Sequence, residues 1–252
     1  MHPYTWSLHA EAVVLVPLLA LGYAVLLRRY PGDGRRVACF LAGLALVLVV
    51  FVTPLENLAL HYLLTAHLLQ NVALAEWAPA LIVLGIPRAA AAAAHRSATV
   101  RALTHPLVAL PLWLATYYVW HLPAAYDTAL RHPGTLLHFE HLCYFATGVL
   151  LWWPVLTGRL SPGTAAAYVF AAFVLVSPLA LLLALIPSAI YDFYEAAPRL
   201  WGLSPLGDQQ LAGLTMAAEE AVVFFGAFAV YFTRFMRRED SAVVFQGARW
   251  TK

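Results

Sequence analysis

Seven long apolar runs constrain the fold of this chain more than any other feature of its sequence. They cover approximately residues 10–27, 37–53, 58–84, 106–121, 136–156, 164–186 and 209–235. A helix needs about 20 apolar residues to cross the hydrocarbon core of a bilayer. Because 62% of the 252 residues are hydrophobic and 11% are charged, and no segment between the runs is long enough for a soluble domain, we predict an all-α membrane protein. Residues 1–252 are expected to form one bundle of seven transmembrane helices in the lipid bilayer.

Basic residues are sorted to one side of this predicted bundle. Only Arg131 and Arg199 fall on one side of the bilayer, whereas every other arginine and Lys252 fall on the opposite side. The positive-inside rule then places the N-terminus outside and the C-terminus in the cytoplasm. The formal net charge of +2 reflects anchoring to the cytoplasmic leaflet, and nucleic acid is not implied. The first arginines, Arg28 and Arg29, follow the first apolar run, so we expect a retained helix and no cleavable signal peptide.

Histidine has the opposite distribution. Only His95 and His105 are predicted on the cytoplasmic side, and the others lie at the outer face or in the outer halves of helices: His2, His9, His61, His67, His121, His132, His138 and His141. Imidazole is a common ligand of borderline-soft metals, so this distribution indicates metal chemistry outside. Cys39 and Cys143 lie in different runs without CxxC spacing, so neither a disulfide nor a thiolate metal site is expected.

The fifth run begins with a histidine pair, His138 and His141. A separation of three residues places both imidazoles on one face of a helix. Glu140 lies on the opposite side of the helix, so it is expected to orient a neighbouring group rather than to act as a third ligand. An HxxH pair is a weak signal by itself, and a hydrogen bond from each histidine to a backbone carbonyl is the alternative interpretation.

His67 lies inside the third run, on the helix face that also carries Gln70 and Asn71. A histidine inside a membrane span is costly, which makes it a candidate functional residue. We therefore predict that His67, His138 and His141 are metal ligands. A helix–helix hydrogen bond with Asn71 or Gln70 is the competing interpretation for His67.

The seventh run begins with Asp208, a residue suited to cap a helix N-terminus. One stripe of this helix carries Asp208, Thr215 and Glu219, and the neighbouring stripe carries Glu220. Because a carboxylate that faces lipid is strongly unfavourable, both stripes should face the bundle interior. Asp208 and Glu219 are included as candidate metal ligands, while a proton relay and packing against a polar partner are the alternative roles for this stripe.

Several motifs resemble those of one family. They are AHLLQN at 66–71, APAL at 78–81, LGIP at 84–87, WHLP at 120–123, HFEH at 138–141, WWP at 152–154 and DQQLAGL at 208–214. In this order they resemble the CtaG family of membrane-embedded cytochrome c oxidase assembly factors, which are tied to copper delivery. The resemblance implies a multi-pass protein of the bacterial plasma (inner) membrane that is not an enzyme. It would help to mature the copper centres of a haem–copper oxidase, with a cytochrome c oxidase subunit as its client.

The resemblance also implies that His67, His138 and His141 match family histidines, and two departures bear on the metal. Asn71 stands where the family has the second histidine of a His-x-x-x-His pair. An Ala-Ala-Glu-Glu sequence replaces the usual tryptophan after the Asp-Gln-Gln motif, and Glu76 adds another acid. Carboxylates are poor ligands for Cu(I) but acceptable to Cu(II), zinc or iron. Copper is therefore the expected metal, with zinc or iron as alternatives.

Three classes of function are consistent with these residues. The first is an assembly factor that presents an outward-facing, His-rich copper site from the third and fifth spans. The second is a membrane redox or metal-dependent protein with a buried His/Glu metal or haem centre, in which Glu76, Glu219 and Glu220 are added ligands. The third is a proton or ion pathway lined by the polar stripe of the seventh span.

Overall fold

The computed structural model describes residues 2–9 and 11–247, and within those residues it contains helices and their connections but no strand. The α-helices of the described chain are α1 Val16–Arg29, α2 Gly34–Val52, α3 Pro54–His61, α4 Leu64–Val72, α5 Ala78–Gly85, α6 Arg88–Ala94, α7 Ala98–Leu103, α8 Pro106–Trp120, α9 Pro123–Arg131, α10 His138–Leu156, α11 Pro162–Leu185, α12 Asp192–Glu195 and α13 Pro205–Gly247. Short π-helical segments precede α1, α5 and α10, at Glu11–Leu15, Ala73–Trp77 and Pro133–Leu137. The predicted all-α fold is confirmed.

Five helical segments of the described chain are long and apolar enough to cross a membrane: Ala12–Arg29, Gly34–Val52, Leu64–Gly85, Pro162–Leu185 and Pro205–Glu239. They correspond to the first, second, third, sixth and seventh apolar runs. The fourth run forms α8, which is apolar but has 15 residues. The fifth forms α10, whose first turn carries His138, Glu140 and His141. The membrane character of the chain is therefore supported by five helices, and the count of seven spans stays a prediction.

The third apolar run is interrupted, because the chain breaks between His61 at the end of α3 and Leu64 at the start of α4. The backbone amides of Leu64 and Thr65 donate to the carboxylate of Asp208 on α13, at 2.7 and 3.1 Å. Aspartate is a strong acceptor for the free amides at a helix N-terminus. The expectation that Asp208 caps its own helix is wrong, since α13 begins at Pro205 and Asp208 caps α4.

A π-helical segment, Ala73–Trp77, interrupts the helical path between α4 and α5. Pro79 follows it in the first turn of α5, where a proline disturbs the hydrogen bonding of the preceding turn. Segments of this kind widen a helix locally and are frequent at functional sites. Glu76 lies within the segment and is fully buried in the bundle.

Glycines allow the helices that carry the polar residues to approach closely. A Cβ atom at Gly148 of α10 would overlap the carbonyl oxygen of Ala75, and one at Gly213 of α13 would lie 2.5 Å from the amide nitrogen of Ala184. Small residues at helix crossings are typical of membrane bundles, because they let backbones meet. As a result α10 lies directly against the π-helical segment that contains Glu76, and α13 lies directly against α11.

Two short helices, α9 and α12, cover the histidine-bearing end of the bundle. The carboxylate of Asp127 on α9 accepts hydrogen bonds from the amides of Asp192 and Phe193, both at 3.2 Å, and so fixes the start of α12. Tyr191 and Tyr194 are only 1% and 3% exposed. Tyrosines near helix ends commonly anchor a membrane protein at the interface, but these two face the interior.

Candidate metal site

Four polar side chains of α4 and α10 meet inside the bundle: His67, Asn71, Glu140 and His141, termed the histidine cluster. All four are at most 3% exposed. The ring centroids of His67 and His141 are 6.3 Å apart, and Nε2 of His67 lies 3.8 Å from Oε1 of Glu140. Nδ2 of Asn71 donates to the same carboxylate oxygen at 3.1 Å. The structure thus brings together two of the three predicted histidines and places Glu140 beside them.

Several buried polar atoms at this cluster have no hydrogen-bond partner within the part of the chain that the structure describes. They are both ring nitrogens of His67, Oδ1 of Asn71, Nε2 of His121 and the hydroxyl of Tyr126. Buried polar groups are hydrogen-bonded in nearly all native proteins, so each such atom indicates that another group belongs in this space. A metal ion, a water molecule or a ligand of a partner would satisfy them.

The two imidazoles are close enough to share one ion, but the site is not closed. Two rings that bind one ion through bonds of about 2.0–2.1 Å have centroids roughly 5–6.5 Å apart, which includes the observed 6.3 Å. Among residues 2–9 and 11–247, however, no group of three or more His, Cys, Asp or Glu side chains is arranged to hold a metal. A complete coordination shell requires movement of Glu140 or a ligand from outside the chain.

Tyrosine side chains enclose the histidine cluster. The ring of Tyr126 lies 5.1 Å from that of His67, and the ring of Tyr194 lies 6.4 Å from it. Tyr194 donates from its hydroxyl to the carbonyl of Ala59 at 2.5 Å. Burial raises the pKa of Tyr194 well above its ordinary value, so this hydroxyl stays protonated and remains a donor. The rings exclude solvent, which strengthens electrostatic interactions within the cluster.

His138 lies one turn before His141 and has a different environment. It is half-buried and lines, together with His141, an apolar cavity of about 290 Å³ whose other walls are Val14, Leu15, Leu18, Phe51 and Leu142. His67 does not line this cavity. His141 is therefore the residue that borders both environments, and a shared ion between His138 and His67 stays a prediction.

Asp208 is positioned by contacts to α4. Besides the two backbone amides, Oδ1 of Asp208 accepts from the hydroxyl of Thr65 at 2.7 Å. Both carboxylate oxygens thus have donors within the chain, and a role in metal ligation stays a prediction. These bonds hold α4, the helix that carries His67, against α13.

Glu219 points into the bundle, as predicted from the cost of exposing a carboxylate to lipid. It is 8% exposed and accepts a hydrogen bond from Nε1 of Trp77. Glu76 lies close enough to Glu219 for the two carboxyl groups to interact electrostatically, and it accepts a hydrogen bond from the hydroxyl of Tyr117 at 2.7 Å. Glu220 is fully buried beside them. Glu76, Glu219 and Glu220 are termed the carboxylate cluster, and no described residue forms an ion pair with any of the three.

Residues of α8 lie between the two clusters. Nδ1 of His121 is 2.8 Å from the carbonyl oxygen of Tyr117 and 3.3 Å from the hydroxyl of Tyr144. The ring of His121 is 5.9 Å from that of Tyr126, which packs on His67. The hydroxyl of Tyr117 donates a hydrogen bond to Glu76. Tyr117 and His121, one turn apart at the C-terminal end of α8, therefore connect the surroundings of both clusters.

Sequence reasoning left Glu140, His121 and Tyr126 outside the predicted ligand set. A signal existed for Glu140, because an acid within an apolar run must face the interior. Its neighbour His141 is only about 100° away on the helix, so one pocket can contact both side chains. No periodicity connects His121 or Tyr126 to His67, because they lie on other helices and meet it only through tertiary packing.

Comparison with known proteins gives one informative result. No curated protein sequence and no solved structure matches the chain. A family model, described as the cytochrome c oxidase caa3 assembly factor (Caa3_CtaG), matches residues 13–238. This range includes both polar clusters and every motif on which the family resemblance rests, so the resemblance is confirmed. The chain belongs to the family of cytochrome c oxidase caa3 assembly factors.

Proposed function

We propose that this protein helps to mature the copper centres of a haem–copper cytochrome c oxidase by binding copper transiently at the histidine cluster. The observation that supports the proposal is the pair of unpaired ring nitrogens on His67, a fully buried residue 6.3 Å from the ring of His141. Imidazole nitrogen is a good copper ligand. Membership of the assembly-factor family makes the oxidase the expected client.

The incomplete ligand set suits delivery better than permanent storage. Two imidazoles and one nearby carboxylate leave coordination positions that a ligand of the client can occupy. The amide of Asn71 supplies a hard oxygen where a third imidazole would strengthen copper binding. Copper is therefore the cargo that passes through this site without catalytic turnover, and zinc and iron are the competing ions.

Delivery to the outside requires that the histidine-bearing end faces away from the cytoplasm. The sorting of arginines supports this orientation through the positive-inside rule, with seven spans in the bacterial plasma membrane. A reporter fused after Lys252 is expected to be cytoplasmic, and one inserted at Glu195 is expected to be external. An external C-terminus would remove the basis for copper delivery outside.

Copper titration of the purified full-length protein in lipid nanodiscs tests the site. Cu(I), Cu(II) and Zn(II) are titrated separately in competition with a chelator of known affinity. We expect one copper ion per chain, and affinity at least about tenfold lower in His67→Ala and His141→Ala, since each loses a ligand. His132→Ala is the matched control, because His132 is an exposed histidine near the same end. A wild-type protein that binds no copper in either oxidation state contradicts the proposal.

Oxidase maturation in cells tests the function separately from binding. In cells that lack this protein, the wild type and His132→Ala should restore the copper content of the oxidase, and His67→Ala should not. Full restoration by His67→Ala at normal expression would assign the protein a scaffolding role in assembly without copper binding.

The carboxylate cluster favours a second candidate function, proton binding within the membrane. Three buried carboxyl groups without a basic partner among the described residues repel one another when all are ionised, which favours binding of at least one proton. Proton uptake by proteoliposomes that is lost in Glu76→Gln would support a proton pathway. A bound haem, or a non-copper metal lost in Glu219→Gln, would support the other alternative, a buried His/Glu redox centre.

A further inference from the structure

Six arginines line one cavity of about 750 Å³ at the end of the bundle opposite the histidine cluster: Arg36, Arg88, Arg159, Arg234, Arg237 and Arg238. They come from α2, α6, the turn between α10 and α11, and α13. The cavity therefore exists only when these distant parts of the chain pack together. None of the described residues that line it is acidic. It is termed the arginine cavity.

This concentration of positive charge is unfavourable without counter-charge. Like charges a few ångströms apart near a protein surface repel each other strongly, and salt screens such pairs only beyond about 8 Å. Asp33 offsets part of the charge, because its carboxylate lies 3.7 Å from Nε of Arg36. Arg88, Arg159, Arg234 and Arg238 add a positive potential that an anion would neutralise.

Parts of the cavity are already arranged to receive an anion. Arg36 is held by hydrogen bonds from its guanidinium to the carbonyls of Leu84 and Ile86, at 3.0 and 2.6 Å. Arg234 lies over the ring of Tyr231, 5.2 Å from its centroid. The N-terminus of α11, at Pro162, also lies in the wall, with the side chain of Ser161 accepting a hydrogen bond from the amide of Thr164 at 3.2 Å. A helix N-terminus carries partial positive charge, and arginine binds phosphate through two parallel hydrogen bonds.

The volume and the position of the arginine cavity limit the kinds of ligand that it can bind. A volume of about 750 Å³ is within the range of small-molecule sites, roughly 300–1,000 Å³, and one phosphate ion would leave most of it empty. The cavity lies where apolar helices end, the level at which lipid headgroups meet water. Basic pockets at this level bind anionic headgroups. We propose that the arginine cavity binds a ligand with two phosphate groups, either the headgroup of a membrane lipid or a soluble diphosphate.

The experiment compares two double variants of the full-length protein. Arg159→Gln with Arg238→Gln removes two charges from the cavity. Arg28→Gln with Arg29→Gln removes two exposed charges at the end of α1 that do not line it. The probes are cardiolipin in phosphatidylcholine nanodiscs, and inorganic pyrophosphate added to nanodiscs of phosphatidylcholine alone. Binding is measured by native mass spectrometry and by the shift in thermal unfolding temperature.

We expect wild type and the α1 double variant to bind one of the two probes with affinities within about twofold, and the cavity double variant to bind at least about tenfold more weakly. Binding of cardiolipin alone identifies a lipid ligand, and binding of pyrophosphate alone identifies a soluble one. Equal loss in both double variants overturns the proposal, since it shows attraction by general surface charge. Absence of binding by the wild type overturns it as well.

A folding defect is distinguished by a third variant. Arg159→Lys with Arg238→Lys keeps both charges but loses the bidentate geometry of the guanidinium. We expect this variant to fold and to bind the same probe more weakly than the wild type and more tightly than the glutamine pair. In phosphatidylcholine alone, the glutamine pair should unfold at the same temperature as the wild type or higher, because removing like charges relieves repulsion. Lysine-variant affinity equal to that of the wild type contradicts specific phosphate recognition.

Discussion

The histidine cluster and the carboxylate cluster are buried in the same bundle but differ in what can satisfy their polar atoms. In the first, the imidazole of His67, whose two nitrogens have no hydrogen-bond partner among the described residues, lies beside the carboxylate of Glu140. In the second, three carboxyl groups lie together without a basic partner among the described residues. Added protons turn carboxyl oxygens into donors for their neighbours, so protons alone can complete the second cluster.

The histidine cluster lacks partners of a different kind. Each of the two nitrogens of an imidazole needs a partner, and the tyrosines that surround His67 form a hydrogen bond with neither of them. A metal ion together with an acceptor such as Glu140 satisfies both needs. This difference is the reason why we propose metal chemistry for the histidine cluster and proton chemistry or packing for the carboxylate cluster.

The substitution with the largest expected effect, Gly148→Leu, should disrupt both clusters together. Gly148→Leu places a side chain where even a Cβ atom would overlap the carbonyl oxygen of Ala75. We expect α10 to separate from the π-helical segment, with a loss of about 3 kcal/mol or more in the free energy of unfolding and no copper binding. Gly226→Leu is the control, because no atom lies within 4 Å of a Cβ there. Equal thermal stability of the two variants in nanodiscs would show that this crossing is not tightly packed.

A smaller change separates the clusters. Glu140→Gln keeps the shape of the side chain but removes the charge that faces His67 at 3.8 Å. We expect copper affinity to fall by about 10–100-fold, the usual cost of losing a group that orients or supplements a metal-bound histidine. Copper titration with a competing chelator measures the change. An affinity within twofold of the wild type would limit Glu140 to its hydrogen bond with Asn71.

A substitution that adds a possible ligand to the histidine cluster tests whether this cluster binds copper. Asn71→His places a third imidazole on α4, one turn after His67. Since imidazole binds copper more strongly than an amide does, we expect the copper affinity to rise about tenfold. The same titration applies, with Leu69→His on α4 as a control that adds a histidine elsewhere on the helix. Equal gains in the two variants would mean that the added histidines bind copper independently of His67.

The smallest expected effect concerns Glu219. Glu219→Gln keeps an amide oxygen that can accept the hydrogen bond from Nε1 of Trp77, but the amide cannot carry a negative charge. We expect copper content and oxidase maturation to match the wild type, because this residue belongs to the carboxylate cluster. Loss of bound metal with an intact fold would instead mean that the two clusters act together as one His/Glu centre.

Features that depend on burial are predictable from this sequence, whereas features that depend on packing between distant helices are mostly not. Apolar run lengths correctly indicate an all-α membrane protein, and the cost of a lipid-facing acid correctly places Glu219 inside. The family motifs correctly identify the assembly-factor family. These predictions rest on local composition or on order along the chain, both of which a single sequence contains.

Other predictions require tertiary information. Aspartate commonly caps the helix that it begins. The carboxylate of Asp208 instead accepts hydrogen bonds from two amides of α4, because α4 and α13 meet although they are far apart in the chain. The tyrosines at 191 and 194 resemble interfacial anchors, yet α12 folds inward after Asp127 caps it. In both cases a long-range hydrogen bond overrides a reasonable local preference, and helical periodicity contains no information about such a bond.

Because Asp208 caps α4, the start of α4 can form its final hydrogen bonds only late in the synthesis of the chain. The ribosome makes Leu64 144 positions before Asp208, and until the last helix enters the bilayer the amides of Leu64 and Thr65 lack this acceptor. An unpaired amide in hydrocarbon is strongly unfavourable, so the start of α4 and the position of His67 become fixed last. A chain that ends before Pro205 should insert its first spans but lack copper binding, and wild-type affinity in that truncated chain would contradict this order. On the proposed function, copper is thereby withheld from a chain in which α13 has not yet been made, since Asp208 is then absent from the start of α4.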